Sequence, residues 1–218
     1  RLCRDWSSDV CSSDLKAYSN AHLGKTKVGS TLLSSFETDY VTINPYLGDD
    51  CLNEFMDDIL TYEKGMFVLV KTSNKTSGQI QDLKVSKAQS QQVEEQTVYE
   101  CVADMVATWN DKRTDKYGYS PIGAVVGATY PKELERLRQR MPKAIFLVPG
   151  YGAQGGGAKD VIGAFNADGL GAIINASRSI IFAFEGTAED YKQAARTATL
   201  LMNVDINRAL EQVNKKYW

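Results

Sequence analysis

The sequence has few of the residues that build metal centres and redox sites. A single histidine, His22, stands in 218 residues, which excludes a histidine-rich metal centre. The four cysteines form no C-x-x-C pair, so neither a zinc site nor a dithiol motif is indicated. They stand at Cys3, Cys11, Cys51 and Cys101. We therefore predict no metal site, and the cysteine pattern is typical of a reducing, cytoplasmic compartment.

The sequence also lacks a large excess of one charge and a long apolar run. Its 25 Lys and Arg against 27 Asp and Glu leave a net charge of −2, and no basic stripe indicates nucleic-acid binding. No apolar run reaches the roughly 18 residues that predict a membrane span. The remaining composition, 43% hydrophobic and 24% charged, is typical of a single globular domain with a substantial core.

The first 15 residues, RLCRDWSSDVCSSDL, differ from the rest of the chain. They show neither helical nor strand periodicity, and they lack the continuous apolar region of a signal peptide. From Asp5 to Leu15 they resemble the translation of a common short-read sequencing adapter; a natural tail rich in Ser and Asp is the alternative. We expect residues 1–15 to be a non-native segment and residues 16–218 to be the C-terminal part of one domain whose upstream part is missing.

From Lys16 onward, compact apolar segments alternate with amphipathic ones. Five apolar segments predict strands, at residues 39–46, 65–72, 122–130, 144–149 and 171–176. Because these segments are continuously apolar and each precedes a helical pattern, they indicate parallel strands covered by helices. We predict part of a TIM (β/α)8 barrel, approximately strands 4 to 8 with their helices. The alternative, an open doubly wound sheet, lacks a G-x-G-x-x-G motif after an early strand.

Two connecting segments carry further predictions. The polar residues 73–90 predict an extended loop. Thr187 to about Asn214 predicts the closing helix, with Thr187 and Asp190 in the spacing of a capping box.

In α/β barrels, phosphate commonly binds in the loops after strands 7 and 8. Here the first of these loops is the glycine-rich segment 150–157, whose backbone N–H groups and the Gln154 amide can approach an anion. The second contains Arg178, which can hold a phosphate through two parallel charge-assisted hydrogen bonds. Taken singly, a glycine-rich loop is often only a tight turn, and a lone arginine is often a surface charge. Together they predict a phosphorylated ligand.

Five segments make the resemblance to a known family specific. In order along the chain they are VTINPYLG (41–48), VLVKTSN (68–74), GAVVGATYP (123–131), FLVPGYGAQGG (146–156) and NASR (175–178). They resemble the strand ends of bacterial-type orotidine 5′-phosphate decarboxylases, and the similarity extends from about Lys16 to the C-terminus. The resemblance implies an eight-stranded barrel, a homodimer, no metal and no organic cofactor. The implied reaction removes CO2 from orotidine 5′-phosphate to give UMP in de novo pyrimidine synthesis.

The resemblance assigns a phosphate-binding group to the end of the chain. Arg178 and Gln154 would hold the phosphate, together with backbone N–H groups around Gly155 and Ser177. Pro149 would shape the loop beside the pyrimidine ring.

A second group would contact the base. Ser73, with Thr72 beside it, would face the polar edge of the pyrimidine, and Asn44 and Pro45 would lie near the ligand. The alternatives are that Ser73 is a turn residue bonding its own backbone and that Asn44 only ends a strand before proline.

The catalytic part of the family pattern is missing. The family has a D-x-K-x-x-D motif, and no such motif stands in the right context here; residues 111–116, DKRTDK, have the wrong spacing. Residues 16–24 resemble the helix that follows the motif. We therefore expect no useful decarboxylase activity from this polypeptide. We interpret Lys71, at a strand end, as a solvated lysine and His22 as a helix-surface or helix-packing residue.

Two other functions stay open at this point. One is a different phosphate-binding barrel enzyme, such as a sugar-phosphate epimerase or aldolase. The other is a non-catalytic nucleotide-binding or structural protein. The Ser73 segment argues against the first, and tight UMP binding without turnover would indicate the second.

Overall fold

A computed structural model describes residues 10–89, 92–152, 155–187 and 190–216 of the chain. The first half contains α1 (Val10–His22), β1 (Thr26–Val28), β2 (Thr31–Leu33), β3 (Tyr40–Ile43), a 3-10 turn (Pro45–Leu47), α2 (Asp49–Tyr62), β4 (Gly65–Lys71), α3 (Gly78–Gln81), β5 (Lys84–Gln89) and β6 (Gln92–Thr97). The second half contains α4 (Val98–Asp111), β7 (Ser120–Val126), α5 (Pro131–Arg140), β8 (Ala144–Pro149), α6 (Ala158–Val161), a 3-10 turn (Ile162–Ala164), β9 (Ala172–Asn175), α7 (Ser177–Ile181) and α8 (Tyr191–Gln212).

The central element is a five-stranded parallel sheet in the order β3-β4-β7-β8-β9. This confirms the predicted parallel strands and the α/β fold. Strands that follow one another along the chain are also neighbours in space. A doubly wound sheet would reverse its strand order at a switch point, so the observed order favours a barrel segment over that alternative.

The sequence of each central strand explains its place in the sheet. In β4 and in the neighbouring β7, six of the seven residues are buried. The sheet's edge strands, β3 and β9, alternate between more and less exposed residues. Strands covered on both faces need apolar residues at every position, whereas edge strands do not. The core therefore lies around β4, β7 and β8, and Phe55 of α2 and Phe146 of β8 are fully buried in it.

The prediction of an extended loop over residues 73–90 was wrong. The segment contains the short helix α3 and strand β5, and β5 pairs with β6 in an antiparallel hairpin. Most residues of this hairpin are polar, so it lacks the apolar alternation from which strands are predicted. The two strands pair through their backbones in a continuous register, from Lys84 opposite Thr97 to Gln89 opposite Gln92.

The closing helix begins later than predicted, at Tyr191. Asp190, not Thr187, is its N-cap: the Asp190 carboxylate accepts a hydrogen bond from the Lys192 N–H at 3.2 Å. The Thr187 hydroxyl donates instead to the Phe184 carbonyl oxygen at 3.0 Å. Spacing alone could not identify the cap, because aspartate caps a helix as well as threonine does.

Helix α1 crosses the expected boundary between residues 15 and 16. It begins at Val10, although residues 1–15 were expected to show no helical pattern. Leu15 packs against the core, and the Ser19 hydroxyl donates to the Asp58 carboxylate of α2 at 2.6 Å. This contact holds the second half of the helix in place. The helix can then extend toward its N-terminus, because each further turn forms hydrogen bonds without the cost of nucleating a new helix. The non-native origin of residues 1–15 stays a prediction.

Within the described ranges, no group of three or more His, Cys, Asp and Glu residues is placed to hold a metal ion. His22 is a packing residue: its ring lies 4.4 Å from the ring of Tyr18 and stacks on Phe36 at 4.8 Å. No described helix is both long and apolar enough to cross a membrane.

A buried arginine of α5 links this helix to the starts of β8 and β9. Arg138 of α5 is 5% exposed and donates to the carbonyl oxygens of Ala144 at 2.7 Å and Gly171 at 3.1 Å. It also donates to the Ala164 and Met141 carbonyl oxygens, and its guanidinium lies 3.8 Å from the centre of the Phe146 ring. Burial lowers the pKa of Arg138 to about 10, so the side chain keeps its charge at neutral pH.

We expect Arg138→Met to lower the free energy of unfolding by about 3 kcal/mol, because it removes the buried side-chain donor that links the carbonyl oxygens of Met141, Ala144, Ala164 and Gly171. Arg136→Met is the matched control on the same helix. Its side chain is 65% exposed and pairs with Glu100, so we expect a loss below about 1 kcal/mol. Urea unfolding followed by circular dichroism measures both, and equal losses would contradict the structural role of Arg138.

Candidate functional site

The carboxyl ends of the five parallel strands meet at one edge of the sheet. The described residues that the sequence assigned to a ligand lie at one of these ends or in the segment that follows it. Parallel α/β folds bind ligands at this edge, since the loops there are free to vary while the strands hold them in place.

A small pocket of about 90 Å³ lies between the ends of β8 and β9. Its lining consists of Pro149, Gly150, Tyr151, Asn175, Ala176, Ser177 and Arg178. Strand pairing brings Pro149 directly beside Asn175, and the Ser177 hydroxyl donates to the Asn175 side-chain oxygen at 3.0 Å. Three of the predicted residues, Pro149, Ser177 and Arg178, therefore share one cavity, which we call the phosphate pocket.

The glycine-rich loop beside the phosphate pocket is held by its own backbone. Gly150, Gly152 and Gly155 have φ values of 101°, 72° and 94°, a region that favours glycine. The Gly155 N–H donates to the Gly152 carbonyl oxygen at 2.8 Å, so it would reach a phosphate only after this turn opens. Gln154, predicted to hold the phosphate, lies outside the described residues.

Tyr151 joins the phosphate pocket to the closing helix, a link the sequence prediction missed. Its hydroxyl donates to the Asp205 carboxylate of α8 at 2.8 Å. Burial, and then this carboxylate, raise the pKa of Tyr151 to about 12, so the phenol stays protonated as a donor. The local sequence around Tyr151 gives no signal of this contact, because Asp205 lies 54 residues later in the chain.

The end of β4 presents Thr72 and Ser73. The Thr72 N–H donates to the side-chain oxygen of Gln81 at 3.0 Å, and the Gln81 amide donates back to the Thr72 hydroxyl at 3.0 Å. Ser73 lies against the loop after β7: a Cβ atom on Gly127 would stand 2.8 Å from the Ser73 nitrogen. The backbone of Ser73 can take this position only because residue 127 has no side chain.

The interpretation of Lys71 as a solvated lysine was wrong. Its side chain is 1% exposed, and its ammonium lies 2.5 Å from the Asp82 carboxylate. It also lies 4.4 Å from the centre of the Tyr130 ring. Residues 72–82 fold back over the strand end and enclose it, which the local sequence around Lys71 does not indicate.

Asn44 and Pro45 lie at the end of β3, at the sheet edge. The Asn44 side-chain oxygen accepts from the Tyr46 N–H at 3.1 Å and caps the short turn that Pro45 begins. Neither residue lines the phosphate pocket. Their geometry agrees with the alternative that Asn44 ends a strand, and their predicted contact with a ligand stays a prediction.

Comparison with known proteins supplies the family. Residues 24–197 match the model of the family described as orotidine 5′-phosphate decarboxylase / HUMPS. The orotidine 5′-phosphate decarboxylase of Caldicellulosiruptor bescii is 41% identical over 200 residues, which are 91% of this chain and 63% of the relative. That of Rhodopirellula baltica is 44% identical over 198 residues, 88% of this chain and 62% of the relative. The chain thus spans less than two thirds of the length of both relatives.

Solved structures show the same similarity in three dimensions. An OMP decarboxylase of Leishmania donovani matches 88% of this chain and 63% of its own, with 32% identity and a TM-score of 0.62. A UMP synthase of the same organism matches 89% of this chain and 37% of its own, with 34% identity and a TM-score of 0.64.

We expect Gly127→Ala to lower the free energy of unfolding by about 1–3 kcal/mol, because the new methyl group would overlap backbone atoms of Ser73. Gly157→Ala is the control: its methyl group would meet the Asp160 carboxylate at an ordinary 3.6 Å. Urea unfolding compares the two variants, and the amide resonance of Ser73 reports its displacement. A Gly127→Ala variant as stable as the control, with an unmoved Ser73 resonance, would refute the close approach.

Proposed function

The chain belongs to the orotidine 5′-phosphate decarboxylase / HUMPS family, and from this premise we propose that it forms the phosphate- and pyrimidine-binding part of an orotidine 5′-phosphate decarboxylase. The reaction is the removal of CO2 from orotidine 5′-phosphate to give UMP, in pyrimidine biosynthesis. The observation that carries the proposal is the convergence of Pro149, Ser177 and Arg178 on one pocket at the carboxyl ends of β8 and β9. The names of the relatives favour this reaction over a sugar-phosphate epimerase or aldolase.

In this proposal Arg178 binds the phosphate. Its side chain is exposed at the phosphate pocket and is therefore accessible to a ligand. A guanidinium can donate two parallel hydrogen bonds to phosphate oxygens, and the backbone N–H groups around Ser177 would add donors from the same turn. Gln154 and the backbone near Gly155 would complete the binding once the glycine-rich loop opens around the ligand.

Ser73 and Thr72 would contact the polar edge of the pyrimidine. Strand β4 is separated from β8 by one strand, β7, so the base would extend from the phosphate pocket across the strand ends. Asn44 and Pro45, one strand further on, would lie at the far side of the ligand.

The chemical step needs a group that the sequence does not supply. Loss of CO2 leaves a carbanion at C6 of the pyrimidine, which a neighbouring ammonium must stabilise and then protonate. The D-x-K-x-x-D motif that provides this lysine in the family is missing here. Lys71 cannot replace it in this arrangement, because its ammonium is enclosed and paired with Asp82. The chain would therefore bind UMP without turning over orotidine 5′-phosphate.

Family membership also supports three proposals about the intact protein. It would be a homodimer, it would act in the cytoplasm, and it would need neither a metal nor an organic cofactor.

We expect Arg178→Met to weaken UMP binding by about tenfold to a hundredfold, as the loss of charge-assisted hydrogen bonds should. The affinity for uridine, which has no phosphate, should not change. Isothermal titration of both ligands measures this, with Arg196→Met as the control for loss of an exposed arginine elsewhere. If uridine and UMP weakened equally, or neither did, Arg178 would not be the phosphate ligand.

We expect the purified 218-residue protein to release no CO2 from orotidine 5′-phosphate, since no ammonium is available at C6. Release of labelled CO2 from carboxyl-labelled substrate is the measurement. Turnover above the uncatalysed rate would show that another residue performs the protonation.

A further inference from the structure

Lys71 is a buried cation that the proposed reaction does not use. It ends β4 directly before Thr72 and Ser73, and its side chain is 1% exposed. Burying an ammonium is unfavourable unless a partner compensates its lost hydration. Asp82 provides that partner at 2.5 Å, and the Asp82 side chain is itself 49% exposed. The ion pair thus joins the protein interior to the surface loop that follows β4.

Two aromatic rings complete the surroundings of the ammonium. It lies 4.4 Å from the centre of the Tyr130 ring and 5.3 Å from that of Tyr99, distances at which a cation is attracted to the ring face. The Tyr130 hydroxyl lies 3.4 Å from the Asn74 carbonyl oxygen and 3.3 Å from the Ser77 hydroxyl. Tyr130 therefore contacts both the buried cation and the loop that covers it.

Gln81, the neighbour of Asp82 in the chain, also binds the end of β4. Gln81 bonds both the N–H and the hydroxyl of Thr72, each at 3.0 Å. Two consecutive residues, Gln81 and Asp82, thus hold two consecutive residues of the strand end. We call Lys71, Thr72, Gln81, Asp82 and Tyr130 the Lys71 clamp. It closes the loop that contains Ser73, and closing a loop in the folded state reduces the freedom of every residue in it.

We propose that the Lys71 clamp is a positioning device that holds Ser73 where it contacts the polar edge of the pyrimidine. This rests on the proposed function, in which Ser73 binds the base. Lys71 itself would not touch the ligand. A hydrogen-bonding group contributes fully only when it is held near its bound geometry beforehand, because otherwise binding must order it. The Lys71–Asp82 pair would supply that order to the base contact but not to the phosphate pocket.

The test compares two ligands that differ in the base. UMP would use both the phosphate pocket and Ser73, whereas ribose 5-phosphate would use the phosphate pocket alone. We expect Lys71→Met to raise the Kd of UMP about tenfold, the effect of losing one well-placed hydrogen bond. The Kd of ribose 5-phosphate should change less than about twofold, within the scatter of distant substitutions. Isothermal titration of the full chain measures both.

Asp82→Asn is the second variant, because Lys71→Met could weaken folding and Asp82 lies nearer the surface. It should give the same selective loss for UMP, and the double variant should add little to either single change. Lys64→Met is the matched control. Lys64 precedes β4 and pairs with Asp39 at 3.0 Å, at the opposite end of the strand from Lys71. It should change neither affinity.

Each outcome decides the inference. A selective loss for UMP in both Lys71→Met and Asp82→Asn supports the positioning role. Equal weakening of both ligands would show that the pair only maintains the fold, and unchanged affinities would show that Ser73 does not depend on it; either result overturns the inference. If the unsubstituted chain binds neither ligand, the proposed function fails first and the inference fails with it.

Discussion

The parallel direction of the five central strands is the constraint on which the site depends. Parallel strands place all of their carboxyl ends at one edge, so residues far apart in the chain, such as Ser73 after β4 and Arg178 after β9, come to the same side of the sheet. An antiparallel arrangement would have alternated these ends between two edges. Helices form the connections between successive strands, so the strands run parallel and the helices pack on the faces of the sheet. Strands covered in this way need the continuously apolar segments found in the sequence.

Two buried cations stabilise opposite ends of the parallel strands by different means. Arg138, where β8 and β9 begin, is compensated by main-chain carbonyl oxygens and the Phe146 ring. Its hydrogen-bond partners are main-chain atoms of the strands and of the turns beside them. Lys71, at the end of β4, is compensated by the half-exposed Asp82. That partner belongs to the surface segment that follows β4. Its pairing with the buried ammonium therefore holds this segment against the end of the strand.

The sequence predicted the parts of the structure that local pattern determines. Compact apolar runs identified all five parallel strands, and strand-end positions brought Pro149, Ser177 and Arg178 to one pocket. It failed where distant residues decide. The polar hairpin of β5 and β6 has no apolar period, and the burial of Lys71 depends on a loop that returns over it. The Gln81 contacts with Thr72 were missed for the same reason, since glutamine in a polar segment gives no sign of what it will bond.

Binding and chemistry are separable in such a fold because each strand end is supported from nearby. The phosphate pocket is built by the Pro149–Asn175 strand pair and the bond from Ser177 to Asn175. Ser73 is positioned by contacts to Gly127 and, one residue back, by the Gln81 bonds to Thr72. None of these supports involves the lysine motif that the family uses for the chemical step. In the proposed function, the chain would therefore keep the strand ends that bind the nucleotide while lacking the ammonium for the chemical step.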